Sequence, residues 1–316
     1  MRKHRAAILR AIAIIAVLAC LVVFARKMKW AELGRDLAHA NWGLLAIVGV
    51  INYGILFGKA LSWRIMLAPK HRIPTPRLMR YTIVAFAASV VAPARAGELL
   101  RVWLLKRRDG VPTADVAAVA IAEKLLDGVS MLVLVAPVPW LLPGLERWVA
   151  TSIAICAGIA IVAFVVLSIL VRSRKEPTSW LGRFFAGMHV LRSGRRLLAV
   201  MATLIGVWLI DWLMIWLCGT AVGLHLTAPQ CLLILFTLNL AITAPSTPAG
   251  VGALEVGVLI ATRLLGIPDE PAAALALVYH GVQILPLLVV GLALEWRVIV
   301  GKDGTLALEP DKVAAP

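Results

Sequence analysis

Six apolar stretches long enough to cross a bilayer divide this 316-residue chain, at about 7–25, 42–66, 113–136, 149–171, 197–219 and 271–295. A helix needs about 20 mainly apolar residues to span the hydrocarbon. Two further apolar segments, about 81–107 and 230–264, are each interrupted in the middle. The first reads Ala92-Pro93-Ala94-Arg95-Ala96-Gly97-Glu98. The second reads Ala244-Pro245-Ser246-Thr247-Pro248-Ala249-Gly250-Val251-Gly252. Their halves are too short to cross singly, so each is expected to enter and leave on one side. Non-helical backbone at membrane depth is tolerated only where it lines a cavity or is buried in protein. The expected fold is an all-α integral membrane protein of about six transmembrane helices plus two broken re-entrant hairpins, eight apolar segments in one polytopic domain over residues 1–316.

Composition agrees with that solvent. Hydrophobic residues make up 61% of the chain and charged residues only 16%, against about 25% charged in a soluble domain. The formal net charge is nevertheless +15, from 32 Lys+Arg and 17 Asp+Glu. A nucleic-acid partner is not expected, because the basic residues sit between apolar runs rather than on a soluble face. Sorted by side, 23 of them fall on the face shared by the two termini, 6 on the other, and Lys59, Arg95 and Lys124 lie at membrane depth. The bias of basic residues toward the inside predicts both termini in the cytoplasm. If both broken segments crossed fully, the basic 172–196 loop would face outward, which favours hairpins.

The start of the chain resembles a signal peptide, but Leu21 to Phe24 stay apolar and Arg26-Lys27-Met28-Lys29 follows, so a retained first helix is expected. Segment 176–190 places Trp180, Phe184, Phe185 and Met188 at helical spacing beside Arg183, the pattern of an amphipathic helix on the inner leaflet. The polar tail at about 300–316 is expected to be disordered. Cys20, Cys156, Cys218 and Cys231 lie in apolar stretches without C-x-x-C spacing, and the six histidines form no H-x-x-x-H pair, so neither a metal nor another cofactor is expected.

The broken segments belong to an internal repeat. Gly110-Val111-Pro112, Ala117-Ala118 and Ala120 recur at a constant offset of 156 as Gly266-Ile267-Pro268, Ala273-Ala274 and Ala276. Ala92-Pro93 matches Ala244-Pro245 at offset 152, and Glu98 matches Glu255 at 157. Each unit, about 81–136 and about 230–295, is a broken hairpin, a glycine-proline loop and a spanning helix, and the two units run in opposite orientation. Inverted repeats with broken helices near mid-membrane are a plan of secondary transporters, with substrate at the repeat interface.

An ionisable side chain inside hydrocarbon needs a partner, water or a function. The first unit places Arg95, Glu98 and Arg101 around its turn and Glu123, Lys124 and Asp127 on the following helix. Glu123 and Asp127 share a face, with Lys124 about 100° round. The expected pairs are Arg95 with Glu123 or Asp127, and Glu98 with Lys124 or Arg101. One reading is that these pairs only pin hairpin to helix. The other is that Arg95, Arg101 and Lys124 form a cationic cavity for a phosphate-bearing headgroup, which arginine binds bidentately. The second unit offers Asn239, Ser246, Gly250, Gly252, Glu255 and His280 as binding candidates. Tyr279, His280 and Gln283 fall where Glu123, Lys124 and Asp127 fall in the first. Asp211, Glu123 and His280 are the candidates for proton coupling.

These residues carry a resemblance. Pro93-Ala94-Arg95-Ala96-Gly97-Glu98-Leu99-Leu100-Arg101 is similar to the P-x-R-x-G-E-x-x-R element of the lysylphosphatidylglycerol synthase transmembrane, or flippase-like, family. Glu123-Lys124-Leu125-Leu126-Asp127 resembles its E-[RK]-x-x-D element, and Pro245 to Gly252 with Glu255 resembles its P-x-x-P-G-G-x-G-x-x-E element. The chain departs at Ala249, where the family usually has Gly, and at Lys124, where Arg is common. The resemblance implies a bacterial inner-membrane protein handling lipids, a stand-alone member without the aminoacyl-transferase domain, so lysylation of phosphatidylglycerol is not expected.

The function expected is a lipid translocase moving a phospholipid or other anionic headgroup across the membrane. No G-x-x-x-x-G-K-[ST] is present, so direct ATP use is not expected. The alternative is a membrane-embedded lipid-modifying transferase, or an accessory subunit of a glycolipid or hopanoid pathway. The partner expected is an anionic membrane lipid, with a homo-oligomer or other proteins of a lipid pathway around it.

Overall fold

The computed structural model describes residues 30–68, 70–91, 96–173, 180–243 and 248–299. The expected first helix at 7–25, the tail at 300–316, and Arg95 and Ser246 lie outside these residues. The described chain is helical: α1 (Trp30–Ala38), α2 (Trp42–Leu67), α3 (Thr75–Val91), α4 (Ala96–Asp109), α5 (Thr113–Val135), α6 (Val138–Leu141), α7 (Arg147–Ser173), α8 (Trp180–Gly187), α9 (Gly194–Ala221), α10 (Ala228–Thr243), α11 (Ala253–Leu264) and α12 (Asp269–Ile299). Short 3-10 turns occupy His189–Arg192 and Pro248–Gly250.

Four helices among the described residues are long and apolar enough to cross a membrane: Trp42–Leu67, Arg147–Val171, Gly194–Ala221 and Asp269–Glu295. The 23-residue α5 is also long enough, but it carries Asp115, Glu123, Lys124 and Asp127. On α7, Ile155, Ile159, Val162 and Ile169 all face outward. An apolar surface of that extent requires a lipid solvent.

Both interrupted segments fold back on themselves. Helix α3 packs along α4, and α10 along α11. Glycine makes each approach possible: a Cβ on Gly97 would overlap Ala85 O and Ser89 Oγ, and one on Gly257 would lie 2.5 Å from Leu238 Cα. At the standard rise of 1.5 Å per residue the halves measure about 18 to 26 Å, shorter than a hydrocarbon layer of about 30 Å.

Each hairpin then ends in the same way. Gly110 closes α4 at φ 65° and Gly266 closes α11 at φ 69°, with Pro112 and Pro268 two residues on. A left-handed glycine followed by proline is a common helix stop. Val111 N–H donates back to Leu105 O at 3.2 Å and Ile267 N–H to Thr262 O at 2.9 Å.

The helices upstream of these loops pack in a parallel pattern. Helix α1 packs against α12 as α8 packs against α5, α2 against α12 as α9 against α5, and α3 against α12 as α10 against α5. Each half is thus a short helix, a long helix, a hairpin and a second long helix. The α2–α9 contact joins the halves. Gly58 faces Val207 and Gly54 faces Ile210, so one number rises as the other falls and the two helices run antiparallel.

Helix α8 lies within the segment expected to be amphipathic, and its described end packs inward. Phe185 and Met188, with Val190 and Leu191 just beyond it, join the hydrophobic core. Gly187 sits against Ala118 and Asp115 of α5.

Candidate functional site

The interior charges of the first half gather where α2, α4 and α5 meet. Glu123 Oε2 accepts from Trp63 Nε1 at 2.5 Å and lies 3.6 Å from Arg101 Nη1. Lys59 Nζ is 3.9 Å from Glu123 Oε1 and 2.6 Å from Asp127 Oδ1. The Arg101 guanidinium lies over the Trp63 ring, 3.7 Å from its centroid, a stacking geometry suited to a planar cation. Arg101 is only 5% exposed. Its Nε and Nη2 have no hydrogen-bond partner among the described residues. Buried polar atoms are nearly always paired, so these two are the unsatisfied donors of the cluster.

Two members of this cluster were not singled out from sequence. Lys59 lies at membrane depth on α2, upstream of the unit at about 81–136. Its counterpart at offset 152 is Asp211, and extending the repeat upstream would have exposed it. Trp63 gave no signal, being one aromatic residue in an apolar run.

Glu98 and Lys124 form the expected pair, 2.8 Å apart, but side-chain exposures of 51% and 57% put it on the outer surface of α4 and α5. Lys124 therefore does not line the buried cluster, and Lys59 supplies the ammonium group there.

The second unit repeats this pair with different chemistry. His280 Nδ1 lies 2.6 Å from Glu255 Oε1, and Nε2 lies 3.1 Å from Ala249 O. A carbonyl can only accept, so Nε2 carries hydrogen, and the Nδ1–carboxyl contact holds one further proton between its partners. Glu255 Oε2 also accepts from Gly252 N at 2.6 Å, securing the start of α11. The turn is left-handed at three places: Ala249 at φ 61°, Gly250 at 75° and Gly252 at 90°.

Asn239 does not join this group, since its Nδ2 donates to Leu235 O on its own helix at 2.9 Å. Deeper in the bundle, Asp211 Oδ1 accepts from Tyr279 Oη at 2.5 Å and from Gln283 Nε2 at 3.3 Å. Trp208 Nε1 donates to Asp127 O at 3.0 Å, linking α9 to α5 beside Lys59.

The chain belongs to the family described as the lysylphosphatidylglycerol synthase TM region, whose sequence profile matches residues 8–291. It is similar to a protein named "UPF0104 membrane protein" from Methanothermobacter thermautotrophicus, at 23% identity over 279 residues, covering 77% of this chain and 80% of that one. With its long apolar helices, this makes it a multi-pass membrane protein with a membrane lipid-related role.

Proposed function

We propose that this protein is a lipid translocase that moves an anionic headgroup between leaflets without hydrolysing ATP, and that Arg101 is its central contact. The observation that carries the reading is the buried guanidinium, held on one face by Trp63 and at Nη1 by Glu123. Nε and Nη2 are left without a protein partner among the described residues. A phosphate offers oxygens at the spacing of that fork. Lys59 stands beside it, and the carboxylates of Glu123 and Asp127 hold both cations in place while no headgroup is bound.

The topology proposed with it has six crossings and two re-entrant hairpins in an inverted repeat, in the bacterial inner membrane, with both termini in the cytoplasm. The antiparallel α2–α9 pair supports it, because a single crossing by the first interrupted segment would make those helices parallel. The folded-back halves are too short for two crossings each, which also supports hairpins.

The test uses purified full-length protein in proteoliposomes containing fluorescent phosphatidylglycerol. Wild type should expose outer-leaflet and inner-leaflet label in exchange, while Arg101→Gln and Glu123→Gln should slow the exchange about tenfold or more, as expected for losing one charge-assisted contact. Unchanged rates in both folded variants would remove Arg101 from the site. Consumption of an activated donor by the purified protein would instead indicate a membrane-embedded transferase.

A further inference from the structure

Among the described residues, the interior network where α2, α4, α5, α9 and α12 meet holds two cations, Lys59 and Arg101, and three carboxyl groups, Glu123, Asp127 and Asp211. Lys59 is committed to Asp127 at 2.6 Å, and Arg101 to Glu123 at 3.6 Å. Asp211 is the remaining carboxyl, 8% exposed, and no cation among the described residues lies within ion-pair distance of it. Its nearest polar partners are neutral donors, the Tyr279 hydroxyl and the Gln283 amide.

The groups acting on it most strongly among the described residues come from four helices. Helix α2 brings Lys59, α5 brings Asp127, α12 brings Tyr279 and Gln283, and α9 itself brings Cys218. Helix α10 also packs against α9, and its sequence contains no charged residue. The 3-10 turn His189–Arg192 meets α9 at the end away from Asp211.

An unpaired carboxylate in a low-dielectric interior is costly, and such a group ordinarily resolves the cost by taking a proton. We infer that Asp211 is protonated in this conformation and is the proton-exchanging group of the cycle. This inference rests on the translocase reading for its function, though not for its chemistry.

The repeat shows how the exchange runs. Lys59 and Asp211 are separated by 152 residues and occupy equivalent places on α2 and α9. Their partners, Asp127 and Gln283, are separated by 156. The first half therefore sets a cation against a carboxylate, and the second sets a carboxyl against an amide. Lys59 pairs with Asp127 and also acts electrostatically on Asp211. In one state its ammonium pairs with Asp127 and the proton is on Asp211. In the other, the ammonium leaves Asp127 for Asp211, the Asp211 O–H bond breaks and its proton passes to water, and Asp127 takes a proton from water. Lysine keeps its own protons throughout, and each state has one paired and one neutral carboxyl. If the two acids exchange with opposite sides, one proton crosses per cycle.

Infrared difference spectroscopy of the full-length protein in nanodiscs near neutral pH tests the protonation, using the carbonyl stretch of a protonated carboxylic acid and its shift in heavy water. Wild type minus Asp211→Asn should contain this band. Tyr279→Phe should move its frequency, and Lys59→Met should roughly double its intensity, because Asp127 then also protonates. No band in the wild type minus Asp211→Asn difference would overturn the inference. That would also be the result if Arg95 supplied the missing positive charge.

In proteoliposomes, a pH gradient should drive net translocation of fluorescent phosphatidylglycerol by wild type, while Asp211→Asn should move it at one rate with or without the gradient. A wild-type flux indifferent to the gradient would overturn the coupling. Absence of any flux would instead count against the translocase reading, and the spectrum would still decide where the proton is.

Discussion

Lys59 Nζ and Asp127 Oδ1 lie 2.6 Å apart across the interior contact between α2 and α5, and each side chain is largely withdrawn from solvent. The pair accommodates one of the four ionisable residues of α5; Glu123 faces Arg101, Asp115 meets Lys70 and His71, and Lys124 meets Glu98 at the surface. Removing one member of a buried ion pair strands the other. Lys59→Met should therefore destabilise the protein by about 3 kcal/mol. Lys59→Met combined with Asp127→Leu should recover most of that loss. Thermal unfolding of the three variants in detergent checks it, and simply additive losses would mean that the two side chains are not coupled.

Close backbone approach, rather than glycine's flexibility, fixes the two hairpins. Gly97 meets Ala85 O across α3–α4, and Gly257 meets Leu238 Cα across α10–α11. A methyl group at either place forces backbone apart, so Gly97→Ala and Gly257→Ala should each cost about 3 kcal/mol. Gly128, within α5, has nothing within 4 Å of an added Cβ. Gly128→Ala should be neutral or stabilise by about 0.5 to 1 kcal/mol. Unfolding midpoints of the three variants, compared with wild type, separate close packing from a general intolerance of alanine.

The long helices were legible because span length is a property of the local sequence: the expected 42–66 is Trp42–Leu67, and the expected 149–171 lies within Arg147–Ser173. The hairpins were legible because Pro and Gly interrupt both apolar runs, each followed by a glycine-proline loop at the same offset of 156. What sequence did not reveal was set by contacts between distant segments. Lys59 meets Asp127 only because α2 is packed against both α5 and α9. Helix α1 is short and gave no span signal, yet it buries Leu33 against Ala273 and Ala274 of α12. Phe185, Met188, Val190 and Leu191 join the core from α8 and the turn after it, a packing that depends on distant helices and has no local signal.

Ala249 is the one described non-glycine residue with positive φ, at 61°, and it occupies the position at which the family resemblance leads one to expect glycine. An L-residue held there carries a steric cost of about 1 to 2 kcal/mol. Ala249→Gly should recover about 1 kcal/mol, after the extra backbone freedom that glycine brings to the unfolded chain is subtracted. Ala249 O also accepts from His280 Nε2, and the main chain that makes this contact is unchanged by the substitution. The expected result is a higher unfolding midpoint; a lower one would show that the Ala249 methyl group makes contacts worth more than the strain.

Outside the spans, His189 gives the protein a pH-dependent element. Its Nε2 donates to Ala68 O at 2.6 Å, tying the 3-10 turn before α9 to the end of α2. Burial pushes the imidazole below its ordinary value, outweighing the hydrogen bond to Ala68, and the nearby charges of Arg196 and Lys70 act in the same direction as burial. The folded protein thus favours the neutral ring more than the unfolded chain does. The resulting stability is fully present above the unfolded value of about 6.5 and is lost as pH falls through the lower folded value. His189→Gln cannot titrate, so the pH dependence of its unfolding midpoint should be flatter than that of wild type below about pH 6.5. Parallel curves for the two proteins would show that His189 does not contribute to the acid sensitivity.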